Sequence, residues 1–328
     1  MIINRIVKNV FPVSLFGLSI AEVQNRSLNA RDISDFSEAI ENDGVLCVIY
    51  DDMPLITDKI LLSLAKICIA ENCGFSLNNG FIAKSGFCGT LRCCESVETE
   101  VFIPEKISFF NAELQKRINA LHAKNGVVIE DARSTFIDFT AKICAKAVLK
   151  PFVTVTGDSY IGKNTVVGQN SVIHNSRIGD DCVVRSSTIE NSTVGDRSAI
   201  GPYAYLRNGA RVGKDCRVGD FVEIKNSTLF DGVKAAHLSY IGDAEIGSGT
   251  NVGCGTVFCN YDGKKKHRTV VGQRVFIGAN TNLVAPISVG DGAFIAAGST
   301  VTHSVDDNAF VIARSRQITK SFTRRIFP

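Results

Sequence analysis

The sequence predicts a left-handed parallel β-helix preceded by a small, incomplete α/β domain. Three observations carry this reading. An aliphatic residue recurs at every sixth position, Gly or Ala follows most of them, and the first third of the chain does not repeat. From Val194 the period runs through Ile200, Leu206, Val212, Val218 and Ile224. A second unbroken register holds Val271, Ile277, Leu283, Val289, Ile295 and Val301. A period of six fits neither the 3.6 of a helix nor the 2 of a simple strand. It is the hexapeptide signature of short strands joined by tight turns, one aliphatic side chain per strand pointing inward. A β-sandwich would instead show turns every eight to twelve residues or so, with no fixed phase.

Bulk properties agree. The 328 residues are long enough for two domains and a large core. A net charge of +3 is too balanced to make nucleic acid or an anionic membrane the main partner. Glycine reaches 28 and tryptophan is absent, which suits a tight-turned repeat better than a conventional enclosed core. No run approaches the roughly eighteen apolar residues of a membrane span. The opening MIINRIVKNVFPVSLFGLSI lacks a clean apolar centre and a small-residue cleavage site. Eleven cysteines are scattered without CxxC or Cys/His spacing, so reduced structural thiols in a cytoplasmic protein, and no metal site, are expected.

Taken in order, residues 1–108 contain helical patterning at Ile33–Asn42 and Asp58–Ala70. Between them lies the apolar run Val45–Tyr50, ending in Asp51-Asp52-Met53-Pro54. A strand delivering carboxylates at its end, followed by Pro and a helix, is an α/β unit. One such unit with a weak partner falls short of a nucleotide-binding sheet. Ala112–Asn125 reads as an amphipathic helix with Leu114, Ile118 and Leu121 on one face, inside a connector covering 109–150. The β-helix is expected over 151–314 and a C-terminal arm over 315–328. Steps of five residues, Ile173 to Ile178, Val184 to Ile189 and Ile189 to Val194, make the early coils irregular. Phe230–Tyr240 and Asn260–Arg268 interrupt the register, and such loops often carry binding sites.

The polar residues of interest cluster at these interruptions. His237 is the side-chain type best matched to proton abstraction near neutral pH, although a lone histidine is more often structural. Arg207, Lys225 and Lys266 are cations at the edges of otherwise aliphatic coils, and single surface cations are usually just solvated. The run Lys264-Lys265-Lys266-His267-Arg268 suits a phosphate-rich ligand and equally a solvated loop.

Six segments raise the odds of function when read together. They are Gly201-Pro-Tyr-Ala-Tyr-Leu-Arg207, Gly219-Asp-Phe-Val-Glu-Ile-Lys225, Ala236-His-Leu-Ser-Tyr-Ile-Gly-Asp-Ala-Glu-Ile-Gly247, Asn251-Val-Gly-Cys-Gly-Thr256, Cys259-Asn-Tyr-Asp-Gly263 and Leu283-Val-Ala-Pro286. In this order they resemble the acetyltransferase half of the bifunctional bacterial enzyme that makes UDP-N-acetylglucosamine, the GlmU type. The resemblance covers roughly residues 150–317. It implies acetyl-CoA-dependent N-acetylation of glucosamine-1-phosphate, a step in supplying cell-envelope precursors. His237 then matches the base that takes a proton from the sugar's 2-amino group, and Glu223 is the residue expected to orient it. Arg207, Lys225, Tyr240, Asn251 and Lys266 match residues that hold the sugar phosphate. Asn260, Tyr261, Ala297 and Arg314 fall on the acetyl-CoA side. Cys254 stands where the family usually has alanine, and Ala279 where a serine along the CoA path is common. The resemblance also implies a homotrimer with sites shared between chains, and an arm carrying Arg324 and Arg325 that reaches a neighbour.

The family's first domain opens with a Gly-rich phosphate-cradling loop, and no such stretch stands before Phe11. Phe11–Ile20 faintly resembles the segment after that loop. Tyr50-Asp-Asp-Met-Pro-Leu55 resembles the family's Y-G-D-x-P-L motif, with Asp52 matching a magnesium ligand. A single carboxylate cannot fix magnesium together with a nucleotide. The region therefore reads as a degenerate cap without uridylyltransferase activity, and a separate uridylyltransferase partner is left open. Two other readings stay open: a non-catalytic trimeric scaffold or sugar-phosphate sensor, and an acetyltransferase for another amino sugar.

Overall fold

A computed structural model of the chain describes the backbone of eight strands between Ile3 and Cys93 and, continuously, residues 107–320. Side chains are described for 111–112 and 114–320. The expected helices Ile33–Asn42 and Asp58–Ala70, the Asp51-Asp52 pair and the tail arginines Arg324 and Arg325 lie outside the described residues.

In the N-terminal unit, Val45–Tyr50 is a strand, as its apolar run predicts. It pairs in parallel with Ile3–Lys8 and antiparallel with Gly80–Lys84. These belong to a six-stranded mixed sheet, more than the one β-α unit legible in the sequence. Helix Ile107–Lys124 follows. Leu114 and Ile118 are buried at 1% and 3% exposure, while Leu121 is 56% exposed, so the apolar stripe is narrower than the pattern suggested. The helix stops at Gly126, whose φ of +87° suits a residue without a side chain.

The second unit is a parallel β-solenoid whose coils have three flat sides. The first sheet has eleven strands, from Val128–Ile129 to Phe310–Val311. A second sheet has ten, ending at Thr300–Val301, and the third has nine, from Lys142–Ile143 to Ile287–Val289. The chain passes through the sheets in turn. Thus Ala199–Ile200 lies in the first, Tyr205–Arg207 in the second and Arg211–Val212 in the third, before Arg217–Asp220 returns to the first. Each strand pairs with its equivalent one coil on: Ile200 with Val218, Leu206 with Ile224, Val212 with Leu229.

The six-residue period is one side of this prism. Inward positions are closed to water, with Ile200, Leu206, Val218, Ile224, Ile241 and Ile277 all at 0% exposure. Each such side chain contributes roughly 1.5–3 kcal/mol through burial. The five-residue steps are corners shortened by one residue, turned at Asn175, Ser186 and Asn191 with φ of 44°, 40° and 46°. Ile178 still stacks on Val194, so the shortening leaves the inward column in line.

The coils begin earlier than the expected boundary at 151. Val128–Ile129 already pairs with Val148–Leu149, and Ile143, Leu149, Val155, Ile161 and Val167 share the six-residue phase. The residues after the first of these are Cys144 and Lys150 in place of Gly, which hid the repeat. The span expected as a connector, 109–150, thus holds the first coils after the helix.

Cysteines take hydroxyl positions in the repeat. Before five of the first-sheet strands, Thr165, Cys182, Ser198, Cys216 and Thr250 each donate to a carbonyl one coil away, at 2.7, 3.2, 2.8, 3.1 and 2.8 Å. Burial pushes the thiols of Cys182 and Cys216 above their ordinary range, which keeps them protonated donors. All five described cysteines are free. Among the described residues no helix is long and apolar enough to cross a membrane.

Phe258 is the largest of the fully buried side chains among the described residues, at 0% exposure. Phe258→Ala is expected to lower the unfolding free energy by about 3–5 kcal/mol through lost burial and a residual cavity, as measured by denaturant unfolding.

Candidate active site

His237 ends the first-sheet strand Lys234–His237, at the corner leading to Tyr240–Gly242 of the second sheet. Its coil neighbour is Asp220, at the end of Arg217–Asp220. His237 Nδ1 lies 2.6 Å from Asp220 Oδ1, and the hydrogen bond to the imidazole holds the Asp220 carboxyl below its usual pKa. The backbone is fixed as well. Leu238 N–H donates to the Asp220 carbonyl at 2.8 Å, and Ser239 Oγ donates to the His237 carbonyl at 2.9 Å. The ring remains open to solvent, with 54% of the side chain exposed.

Counting on from the paired residues Ala235–Val252, Val252–Ile277 and Ile277–Ile295 gives a column along the solenoid. His237, Cys254, Ala279 and Ala297 each stand two residues past those positions, on successive coils. Small side chains thus continue from the histidine along one corner. Arg314 lies one coil beyond Ala297, exposed, with its Cδ 3.6 Å from where a Cβ on Gly298 would stand. The sequence assigned Cys254, Ala279, Ala297 and Arg314 to one role, and the coil register strings them together.

The outer face of the second sheet carries the charged cluster. Arg207 Nε and Nη2 donate to Glu223 Oε1 at 2.9 and 2.6 Å, and this contact holds Arg207 above its ordinary pKa. Tyr205 lies under the guanidinium at 5.4 Å from its ring centroid and donates its hydroxyl to Glu190 at 2.9 Å. Glu223 was expected to orient His237. It is committed to Arg207 instead, because it lies past the corner on the second sheet while Asp220 shares the histidine's own ladder.

The insertion Asn260–Arg268 is a small hairpin closed by a bridge between Tyr261 and Lys266. Asp262 organises it by accepting from Lys264 N–H and Lys265 N–H, both at 2.8 Å, and lying 2.7 Å from His267 Nε2. Arg268 at its end pairs with Glu245. Asn260 is buried, its Nδ2 donating to Asp243 at 2.5 Å, while Asn226 donates to the other Asp243 oxygen at 2.6 Å. Tyr261 donates its hydroxyl to the Gly263 carbonyl. The Asn260 amide is used to anchor the hairpin.

That hairpin sets Lys266 beside Lys225, and the neighbouring amine, within hydrogen-bonding reach and of like charge, lowers the Lys266 pKa. Neither lysine belongs to an ion pair among the described residues. Gly242, the coil neighbour of Lys225, leaves room for the Tyr240 hydroxyl and the Asn260 amide, which a Cβ there would meet at 2.5 and 2.7 Å. Arg207, Lys225, Tyr240 and Lys266 are thus brought to one face. Asn251 is not, since it lies in the first sheet between Lys234 and Phe276. Among the described residues no cluster of His, Cys, Asp and Glu could hold a metal ion.

The family described as GMPPB C-terminal domain matches residues 188–321, and the hexapeptide repeat of succinyl-transferase matches 160–186. The bifunctional protein GlmU of Staphylococcus haemolyticus is 50% identical over 220 residues, which are 66% of this chain and 49% of that protein. GlmU of Clostridioides difficile is 46% identical over 227 residues, 69% of this chain and 50% of that protein. The solved UDP-N-acetylglucosamine acyltransferase of Campylobacter jejuni is similar with a TM-score of 0.41 and 19% identity, over 47% of this chain and 66% of that one. By fold and repeat, the solenoid is that of the hexapeptide-repeat proteins. More particularly, the chain is similar to the GlmU proteins, whose C-terminal, acetyltransferase part it matches. It spans about half the length of these relatives.

Two titrations check this geometry. Asp262 has its pKa lowered from 3.8 to about 2, chiefly by His267. A depressed carboxylate stabilises the folded hairpin fully above its ordinary pKa, and that contribution is lost as pH falls through about 2. Carboxyl NMR is expected to place the Asp262 midpoint near 2, and His267→Ala to move it upward. In the same way, Lys225→Ala is expected to raise the Lys266 midpoint toward the ordinary 10.5, as followed by side-chain NMR.

Proposed function

We propose that the chain transfers the acetyl group of acetyl-CoA to the 2-amino group of glucosamine-1-phosphate, without uridylyl transfer. The observation that carries this reading is the column headed by His237: a solvent-open imidazole backed by a carboxylate, followed coil by coil by Cys254, Ala279 and Ala297. A long, flexible acyl carrier fits along such a track of small residues, with its thioester at the histidine and Arg314 at the far end for a carrier phosphate. Lys225, Lys266 and Arg207 supply the donors that a sugar phosphate needs.

In the proposed reaction His237 Nε2 takes a proton from the sugar amine as the nitrogen bonds to the thioester carbonyl carbon. The C–S bond then breaks, and the departing thiolate takes the proton from the imidazolium. Transfer is direct, through a ternary complex. A homotrimer accords with this scheme, because Asn251 sits away from the other phosphate-side residues and a neighbouring chain could bring its copy to them. GlmU relatives of the matched part support the substrate choice.

A thiol-release assay with acetyl-CoA and glucosamine-1-phosphate tests the reading, alongside a parallel sample with UTP and magnesium. CoA release that requires the sugar phosphate, falls about 10²–10⁴-fold in His237→Ala, and is unaccompanied by pyrophosphate is the expected result. No CoA release from folded protein would leave a non-catalytic scaffold, release only with a different amino sugar would move the substrate, and pyrophosphate would restore a uridylyl step.

A further inference from the structure

We propose that Asp220, and not Glu223, is the positioning residue for His237. The inference rests on reading His237 as the general base, and it assigns the partner that fixes which ring nitrogen acts. An ionised carboxylate only accepts hydrogen bonds. With Asp220 Oδ1 at 2.6 Å, the neutral ring therefore carries its proton on Nδ1, and Nε2 keeps a lone pair facing outward. When Nε2 takes the proton of the amine, the ring becomes an imidazolium already paired with a carboxylate, which lowers the cost of forming it.

The backbone is built for this contact. Among the described residues, Arg217–Asp220 and Lys234–His237 are the only four-residue strands of the first sheet, and the neighbouring strands Ala199–Ile200 and Asn251–Val252 have two residues each. The extension depends on Gly219. A Cβ there would stand 1.8 Å from the Ala236 carbonyl oxygen, a distance no side chain tolerates. Close approach of these two backbones carries the ladder on to its last pair, Asp220 with His237. Glu223 does not take this place, since it lies past the corner in the second sheet, where its Oε1 accepts from Arg207. Because Asp220 and His237 are 36% and 54% exposed, the pair adds little to folding stability, and its consequence lies in ring orientation.

The test uses the full chain with 15N-labelled histidine, reading the tautomer from two-bond proton–nitrogen correlations at neutral pH. The His237 signals are identified by their loss in His237→Ala. In the unsubstituted chain the Nδ1–H form is expected. Asp220→Ala should shift the ring toward Nε2–H and lower kcat about 10–10³-fold, with KM for both substrates within about twofold. Asp220→Asn, whose Oδ1 can still accept from Nδ1–H, should restore part of the tautomer preference, and Glu223→Ala should leave it unchanged. An unchanged tautomer in Asp220→Ala, or a shift caused by Glu223→Ala instead, overturns the proposal. If the chain shows no acyl transfer with either substrate, the proposed function fails, and the tautomer readout still decides the role of Asp220.

Discussion

Everything in the solenoid depends on the coil-to-coil backbone ladder. Parallel pairing holds equivalent residues of successive coils roughly 4.8 Å apart, so any side chain meets first the residue one coil before or after it. In this chain one coil is sixteen to eighteen residues, as in Ile178 with Val194, Val218 with Ala235 and Ile200 with Val218, and twenty-five where the hairpin is inserted, as in Val252 with Ile277. Function on such a scaffold is written in columns. The Asp220–His237 contact, the Arg207–Glu223 pair and the Lys225–Gly242 gap are all products of the same register. A change of one residue in a coil moves a corner and leaves the inward column intact, which is why short and long coils coexist here.

That constraint also explains what the sequence could and could not reveal. The period of inward aliphatics is a local signal, and it identified the solenoid and most of its coils. The first coils escaped because Cys144 and Lys150 stand where glycine usually marks the repeat. Cys254, Ala279, Ala297 and Arg314 could be assigned one role by resemblance, and the register places them on successive coils of one corner. Asn251 lies in a different sheet from Arg207, Lys225 and Tyr240, which only the folded register reveals.

Asp220 was missed although its signal was present. It lies seventeen positions before His237, one coil exactly as Ala235 follows Val218. The segment Gly219-Asp-Phe-Val-Glu223 offers two carboxylates, and choosing between them requires knowing where the corner falls. Phe221, with φ of 54°, is that corner, so Asp220 belongs to the histidine's sheet and Glu223 to the next. Resemblance carries residue identities from one protein to another, whereas the partner of a side chain is set by the register of the chain in which it sits. The hairpin residue Asp262 teaches the same lesson, because its hold on Lys264, Lys265 and His267 is visible only once the insertion is folded.

The cations of the second sheet differ in how far their charge is already answered. Arg207 is paired by two hydrogen bonds to one carboxylate, and Arg268 and Arg197 are likewise matched to Glu245 and Asp215. Lys225 and Lys266 are held together with no such partner among the described residues, and their mutual repulsion disfavours the charged form of Lys266. A dianion placed between them would offset that repulsion while gaining charge-assisted hydrogen bonds. The cost of assembling like charges is met beforehand by the fold, through the Asn260–Asp243 anchor and the Asp262-centred turn of the hairpin. On the proposed reading, the second sheet thus fixes the anion between two lysines at one corner while the adjacent corner presents His237. The strand between them sets how far the amine stands from the phosphate that holds it.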